Sequence, residues 1–180
     1  MARVLILPGH GDSGPGHWQT LWEESRGFER VVQDEWERPE LAAWLARLGE
    51  RVSASPEPVV LVAHSLACAL VAHFAATPLA SRVAAALLVA PADVDSELHT
   101  PDEVRSFAPL PLVPLPFPTV VIASRIDPYV RFARATAFAE AWGARLVDAG
   151  RSGHLNVDSG HGPFPEGLAE LDGLLATARG

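Results

Sequence analysis

Val59-Val60-Leu61-Val62-Ala63-His64-Ser65-Leu66-Ala67 sets an apolar run directly against a serine, and helix-forming residues follow at once. A strand that turns this sharply into a helix holds its central residue in a strained backbone conformation with the side chain pushed into the open. Strand and helix nearly touch at such a turn, so the residues two before and two after must be small. The usual pattern is Gly-x-Ser-x-Gly; here the flanks are Ala63 and Ala67. Alanine is the next smallest side chain, so the turn remains feasible, but the motif alone loses specificity and its partners must be sought elsewhere.

Outward from this turn, short β-branched-rich runs alternate with longer helical patterns. Strands are predicted at Arg3–Leu7, Arg30–Asp34, Pro58–Ala63, Ala85–Ala90, Thr119–Ser124 and Ala144–Asp148. Several are apolar on both faces, as in a parallel sheet covered on two sides. Helices are predicted at His17–Ser25, Pro39–Ser53, Leu66–Ala76, Tyr129–Trp142 and Pro165–Ala178. In the second of these, Leu41, Trp44, Leu45 and Leu48 form one apolar stripe. The alternation predicts an α/β fold, a doubly wound, mostly parallel six-stranded sheet in a single domain over residues 1–180. Ala108–Pro118 interrupts it: five of its eleven residues are proline, so it cannot be helical. It reads as a stiff crossover loop leading into the strand at Thr119, with a polyproline ligand for another protein as the alternative.

Composition narrows the function classes. The chain is 48% hydrophobic and 20% charged, enough to fill a core. A net charge of −8 argues against a nucleic-acid partner. One cysteine, Cys68, excludes an internal disulfide framework and a multi-thiolate metal site. No run approaches the roughly 20 apolar residues of a membrane helix, and the N-terminus reads as a first strand rather than a signal peptide. A cytoplasmic protein without membrane attachment is expected.

In an open α/β sheet, ligands bind beyond the carboxyl ends of the strands. Pro8-Gly9-His10-Gly11-Asp12-Ser13-Gly14 follows the first predicted strand, Ser65 the third, Pro91 and Asp93 the fourth, Asp127 the fifth and His154 the sixth. Ser, Asp, His along the chain is the order of an α/β-hydrolase triad. Ser65 would be the nucleophile, His154 the base that takes its proton, and Asp127 the carboxylate that sets the imidazole tautomer. Asp93 is the rival for the acid. The backbone N–H groups of Leu66 and His10 would receive the developing oxyanion, with Gly9 and Gly11 letting their loop curl close to the substrate carbonyl. No metal or organic cofactor is expected.

Blander readings compete. Ser65 could be only a helix cap, and Asp127-Pro128 a cap with a first-turn proline. Gly9-His10-Gly11-Asp12-Ser13-Gly14 is a literal G-x-G-x-x-G, and Asp34 lies about 20 residues on, the fingerprint of a dinucleotide site. Pro15-Gly16 would interrupt the helix that must carry the pyrophosphate. The pairs His10/His17 and His154/His161 lack the helical spacing of a zinc site. His64, next to Ser65, is expected to point away from the pocket.

Leu7-Pro8-Gly9 with His17-Trp18-Gln19 and Trp22, Asp34-Glu35-Trp36, His64-Ser65-Leu66, Asp127-Pro128 and Gly153-His154-Leu155-Asn156 with Ser159-Gly160, Gly162 and Pro165-Glu166-Gly167 resembles the small serine hydrolases of the retinoblastoma-binding-protein-9 and YdeN group. The resemblance covers nearly the whole chain; Phe164 departs from it where tryptophan is common. It implies a compact α/β-hydrolase fold without a large lid, and a triad falling on Ser65, Asp127 and His154. It also implies that Trp18 lines the substrate pocket and that Asn156 and Ser159 brace the histidine loop. The expected function is cleavage of a small ester, thioester or amide through an acyl-enzyme on Ser65; a non-catalytic binding module is the alternative from another class.

Overall fold

The computed structural model describes residues 2–178. Its elements are β1 (Arg3–Leu7), α1 (Trp18–Arg26), β2 (Glu29–Arg30), α2 (Leu41–Ser53), β3 (Val59–His64), α3 (Leu66–Phe74), β4 (Val83–Val89), β5 (Thr119–Ala123), α4 (Phe132–Trp142), β6 (Arg145–Asp148) and α5 (Pro165–Thr177). The strands form one sheet in the order β2-β1-β3-β4-β5-β6, every neighbouring pair parallel. This is the α/β-hydrolase fold in compact form, with helices on both faces.

Successive strand side chains point to opposite faces, and the two cores follow that rule residue by residue. Leu5, Leu7, Leu61, Ala63, Ala86, Leu88 and Val121 pack with α2, α3 and α4. Val4, Ile6, Val60, Val62, Leu87, Val89 and Ile122 pack with α1 and α5. β3 lies between β1 and β4 and every one of its residues is buried, so its apolar run has no polar alternation. The stripe of α2 delivers Trp44, Leu48 and Val52 to the first core, where Trp44 meets Phe107 edge to face.

Two predicted elements moved. The second strand is Glu29–Arg30 rather than Arg30–Asp34. It is an edge strand; Val31 still donates its N–H to the Ile6 carbonyl, and then the chain leaves the sheet with Val32 exposed. Helix α4 begins at Phe132, not Tyr129. Tyr129 is held outside it, donating its N–H to the Asp127 carboxylate and accepting from Asp93 N–H.

Ala108–Pro118 is the crossover into β5. Leu110, Leu115 and Phe117 are buried in the first core. Leu115 N–H donates to the Trp142 carbonyl, and the Trp142 indole donates to the Pro111 carbonyl, so the segment is tied to the end of α4. No described helix is long and apolar enough to cross a membrane.

Candidate active site

Ser65 joins β3 to α3 at φ 57° and ψ −119°. A non-glycine residue in this region carries strain that surrounding bonds must offset. They are present: Ser65 N–H donates to the Val89 carbonyl at 2.9 Å, and the Ser65 carbonyl accepts from Cys68 N–H at 3.1 Å. Ala63 and Ala67 are wholly buried and the turn accommodates both. The tight approach comes instead from the facing loop. A Cβ on Gly9 would lie 2.9 Å from the His64 carbonyl oxygen, 3.1 Å from Ser65 Cβ and 3.3 Å from the Leu66 nitrogen. Backbone atoms cannot swing aside, so Gly9→Ala is expected to lower stability by about 1–3 kcal/mol and to displace the turn. Urea unfolding measures the first effect; an unchanged midpoint would show that the loop yields freely.

His154 lies in the loop between β6 and α5. Its Nε2 is 2.9 Å from Ser65 Oγ, and its Nδ1 is 3.0 and 2.9 Å from the two Asp127 carboxylate oxygens. A carboxylate only accepts, so Nδ1 carries the proton and Nε2 presents a lone pair to the serine hydroxyl. The Asp127 side chain is wholly buried. Tyr129 packs its ring against the imidazole, centroids 4.4 Å apart. Below, His64 Nε2–H donates to the His154 carbonyl at 2.9 Å. His64 thus anchors the histidine loop, and although it was expected to turn away from the pocket it is among the residues that line the cavity.

The loop is locked by its own sequence. Asn156 Oδ1 accepts from Ser159 N–H, and Ser159 Oγ accepts from Asn156 N–H, a reciprocal cap. Gly153, at φ 59°, is required there because a Cβ would strike Ser159 Cβ at 2.6 Å. Gly167 has a parallel role: a Cβ would enter the Phe164 ring, which stacks on Trp22.

Asp93 does not approach the histidine. Its carboxylate receives Arg134 Nε–H at 3.0 Å and Nη2–H at 3.1 Å. Cys68 is buried, and that burial pushes its thiol well above the usual range, so it stays protonated. Among the described residues no three His, Cys, Asp or Glu side chains converge as metal ligands.

Ser65 and His154 open into a cavity of about 330 Å³. The loops after β1 and β6 supply His10, Asp12, His17 and Asn156 to its lining; the segments after β4 and β5 supply Ala92, Thr100, Pro101, Val104 and Tyr129. His10 and Leu66 both line it. Leu66 N–H is at the start of α3, where helices leave donors free, and neither it nor His10 N–H donates to another described residue. The His10 ring is turned outward, its Nε2–H donating to the Glu37 carbonyl.

Two expectations need correction. Trp18 does not line the cavity; it is wholly buried against Trp22, Phe164 and His64, and its indole N–H donates to the Leu155 carbonyl. Gly11 is not a lining residue either; its N–H is taken by the Trp36 carbonyl. The glycine-rich loop is no phosphate cradle, because α1 starts only at Trp18, past Pro15-Gly16. Gln19 instead ties this loop down, accepting from Ser13 Oγ–H and donating to the Leu7 and Val62 carbonyls.

Sequence reasoning did not single out Tyr129, although it stands two residues beyond Asp127, nor Thr100, Pro101 and Val104, which carry no motif. It also passed over His17 as a cavity residue. His17 Nδ1 accepts from Gln19 N–H at the start of α1. Burial, with His154 and Arg30 nearby, brings its imidazole down to about 4.

The chain matches the family described as Serine hydrolase over residues 4–173. A search of curated proteins found no match. Among solved structures, a YdeN-like hydrolase from Pectobacterium atrosepticum superposes with a TM-score of 0.87 at 31% identity, over 99% of this chain and 92% of that one. The ydeN gene product of B. subtilis gives 0.74 at 21% identity, over 98% and 100% of the two chains. Esterase 2 of Thermogutta terrifontis gives 0.69 at 18%, over 97% and 82%. The last two likenesses concern the fold.

Proposed function

The chain belongs to the serine hydrolase family, of the YdeN group, and from that premise we propose that it cleaves a small ester, thioester or amide through an acyl-enzyme on Ser65. Ser65 Oγ attacks the scissile carbonyl as His154 Nε2 takes its proton; the same proton then passes to the leaving group. Asp127 holds the tautomer and stabilises the imidazolium that forms. The N–H groups of His10 and Leu66 receive the oxyanion. Water then repeats the sequence and frees the acid.

One observation carries this reading: a single imidazole spans 2.9 Å to the serine oxygen on one nitrogen and 2.9 Å to a buried carboxylate on the other. The cavity walls favour neutral substrates. Among the described residues no arginine lines them, and the one carboxylate that does, Asp12, pairs with Arg30 at 2.8 Å.

A fluorophosphonate probe tests the nucleophile directly. Intact-mass measurement is expected to show one adduct on the folded protein, peptide mapping to place it on Ser65, and Ser65→Ala to take up none. A folded wild type that stays unlabelled would leave a binding module as the surviving reading.

A further inference from the structure

His17 contributes a ring to the cavity wall that acyl transfer, as described above, does not use. His154, His64 and His17 stand in a row, with 4.8 Å between successive ring centroids. His64 and His17 are bound differently. His64 spends its Nε2–H on the His154 carbonyl. His17 spends Nδ1 as an acceptor for Gln19 N–H. A neutral imidazole carries one proton, so the His17 proton must be on Nε2. That nitrogen has no hydrogen-bond partner among the described residues, yet none of their buried side-chain nitrogens or oxygens is unpaired. Nε2–H therefore meets the open cavity that His17 lines.

The surroundings keep this donor neutral and aimed. Acid well below the ordinary histidine range is needed to charge it, so at neutral pH it does not repel the imidazolium that forms on His154. The capping bond to Gln19 N–H sets the ring orientation. On its other side, ring contacts with Trp18 at 5.2 Å and His64 at 4.8 Å limit its swing.

Resting on acyl transfer to Ser65, we infer that His17 is a substrate-positioning residue whose Nε2–H donates to an oxygen on the leaving-group side of the substrate. The side follows from the neighbours of His17 and from the lining residues. The leaving group departs beside His154 Nε2, which protonates it, and His17 is linked to His154 through the His64 ring and lines the cavity together with Asn156 of the histidine loop. Among the residues that the segment after β4 brings to the cavity, Ala92, Pro101 and Val104 are apolar and suit an acyl chain. The substrate class is thus an ester or amide of an oxygenated alcohol or amine, carrying a hydrogen-bond acceptor a few bonds beyond the scissile linkage.

The test compares n-butyl butyrate with 2-methoxyethyl butyrate. Both give the same butyryl-enzyme, so the ratio of their kcat/KM values reports the leaving-group side alone. Wild type is expected to prefer the methoxyethyl ester. His17→Ser keeps an oxygen to cap α1 but removes the ring donor. Its kcat/KM for the methoxyethyl ester is expected to fall roughly five- to tenfold more than for the butyl ester, the size of one neutral hydrogen bond. Equal losses on both esters would mean that His17 only supports the loop, and would overturn the inference. So would a wild type that labels with fluorophosphonate but shows no preference between the esters, or an imidazole that ¹⁵N NMR finds protonated on Nδ1 at pH 7. A wild type that neither labels nor turns over either ester removes acyl transfer itself, and this inference with it.

Discussion

Ser65→Ala is expected to remove turnover of p-nitrophenyl butyrate, by about 10⁶ in kcat, while leaving the fold intact. The hydroxyl makes one described contact, to His154 Nε2, so its loss orphans no buried donor. The backbone bonds that hold the turn come from Ser65 N–H and the Ser65 carbonyl, which alanine retains. Stability separates the strain from the chemistry. Alanine at φ 57° is as strained as serine, whereas glycine adopts that region freely. Ser65→Gly should therefore be inactive yet more stable than Ser65→Ala by about 1 kcal/mol, read as the difference in urea midpoints. Retained turnover in Ser65→Ala would remove the residue from the mechanism.

Asp127→Asn is expected to lower kcat by about 10⁴ with little change in geometry. Asp127 Oδ1 accepts Tyr129 N–H at 2.9 Å. An asparagine keeps that bond by placing its carbonyl oxygen there, which sets its NH₂ against His154 Nδ1. That nitrogen must then accept, so the imidazole proton moves to Nε2 and the ring can no longer take the serine proton. Asp93→Asn makes the contrast. It weakens the two bonds to Arg134, so it should cost about 1–3 kcal/mol of stability, while kcat of the folded protein stays near wild type. If Asp93→Asn proved the more damaging to kcat, the acid would be misassigned.

These contrasts locate where reading the chain ran short. After two predicted strands stood an aspartate, and nothing local separated them. Arg134, on α4, captures one and leaves the other for His154, and that choice exists only after the crossovers are made. Trp18 is a similar case. Its spacing from Trp22 suits a packing face, while its place beside a glycine-rich loop suits a pocket; the histidine loop, 137 residues further on, takes its indole N–H and settles it as packing. The second strand was misplaced because an edge position asks little of its residues. One neighbour and one buried face leave the apolar pattern weak, so Val31 and Val32 resemble a strand that the sheet does not extend. Helix α4 was begun too early because Tyr129 answers to Asp127 and Asp93 rather than to its own propensity.

Strand and helix periods, the small residues at the turn and the order of serine, aspartate and histidine are properties of neighbouring residues. They were open to inspection along the chain because burial on two faces and a sharp strand-to-helix turn each demand a local pattern. Which donor is left free, which carboxylate is claimed by an arginine and which nitrogen of His17 keeps its proton depend on partners remote in the chain. Hydrogen bonds act over about 3 Å, so those matters wait until folding has brought the loops of five parallel strands to one rim.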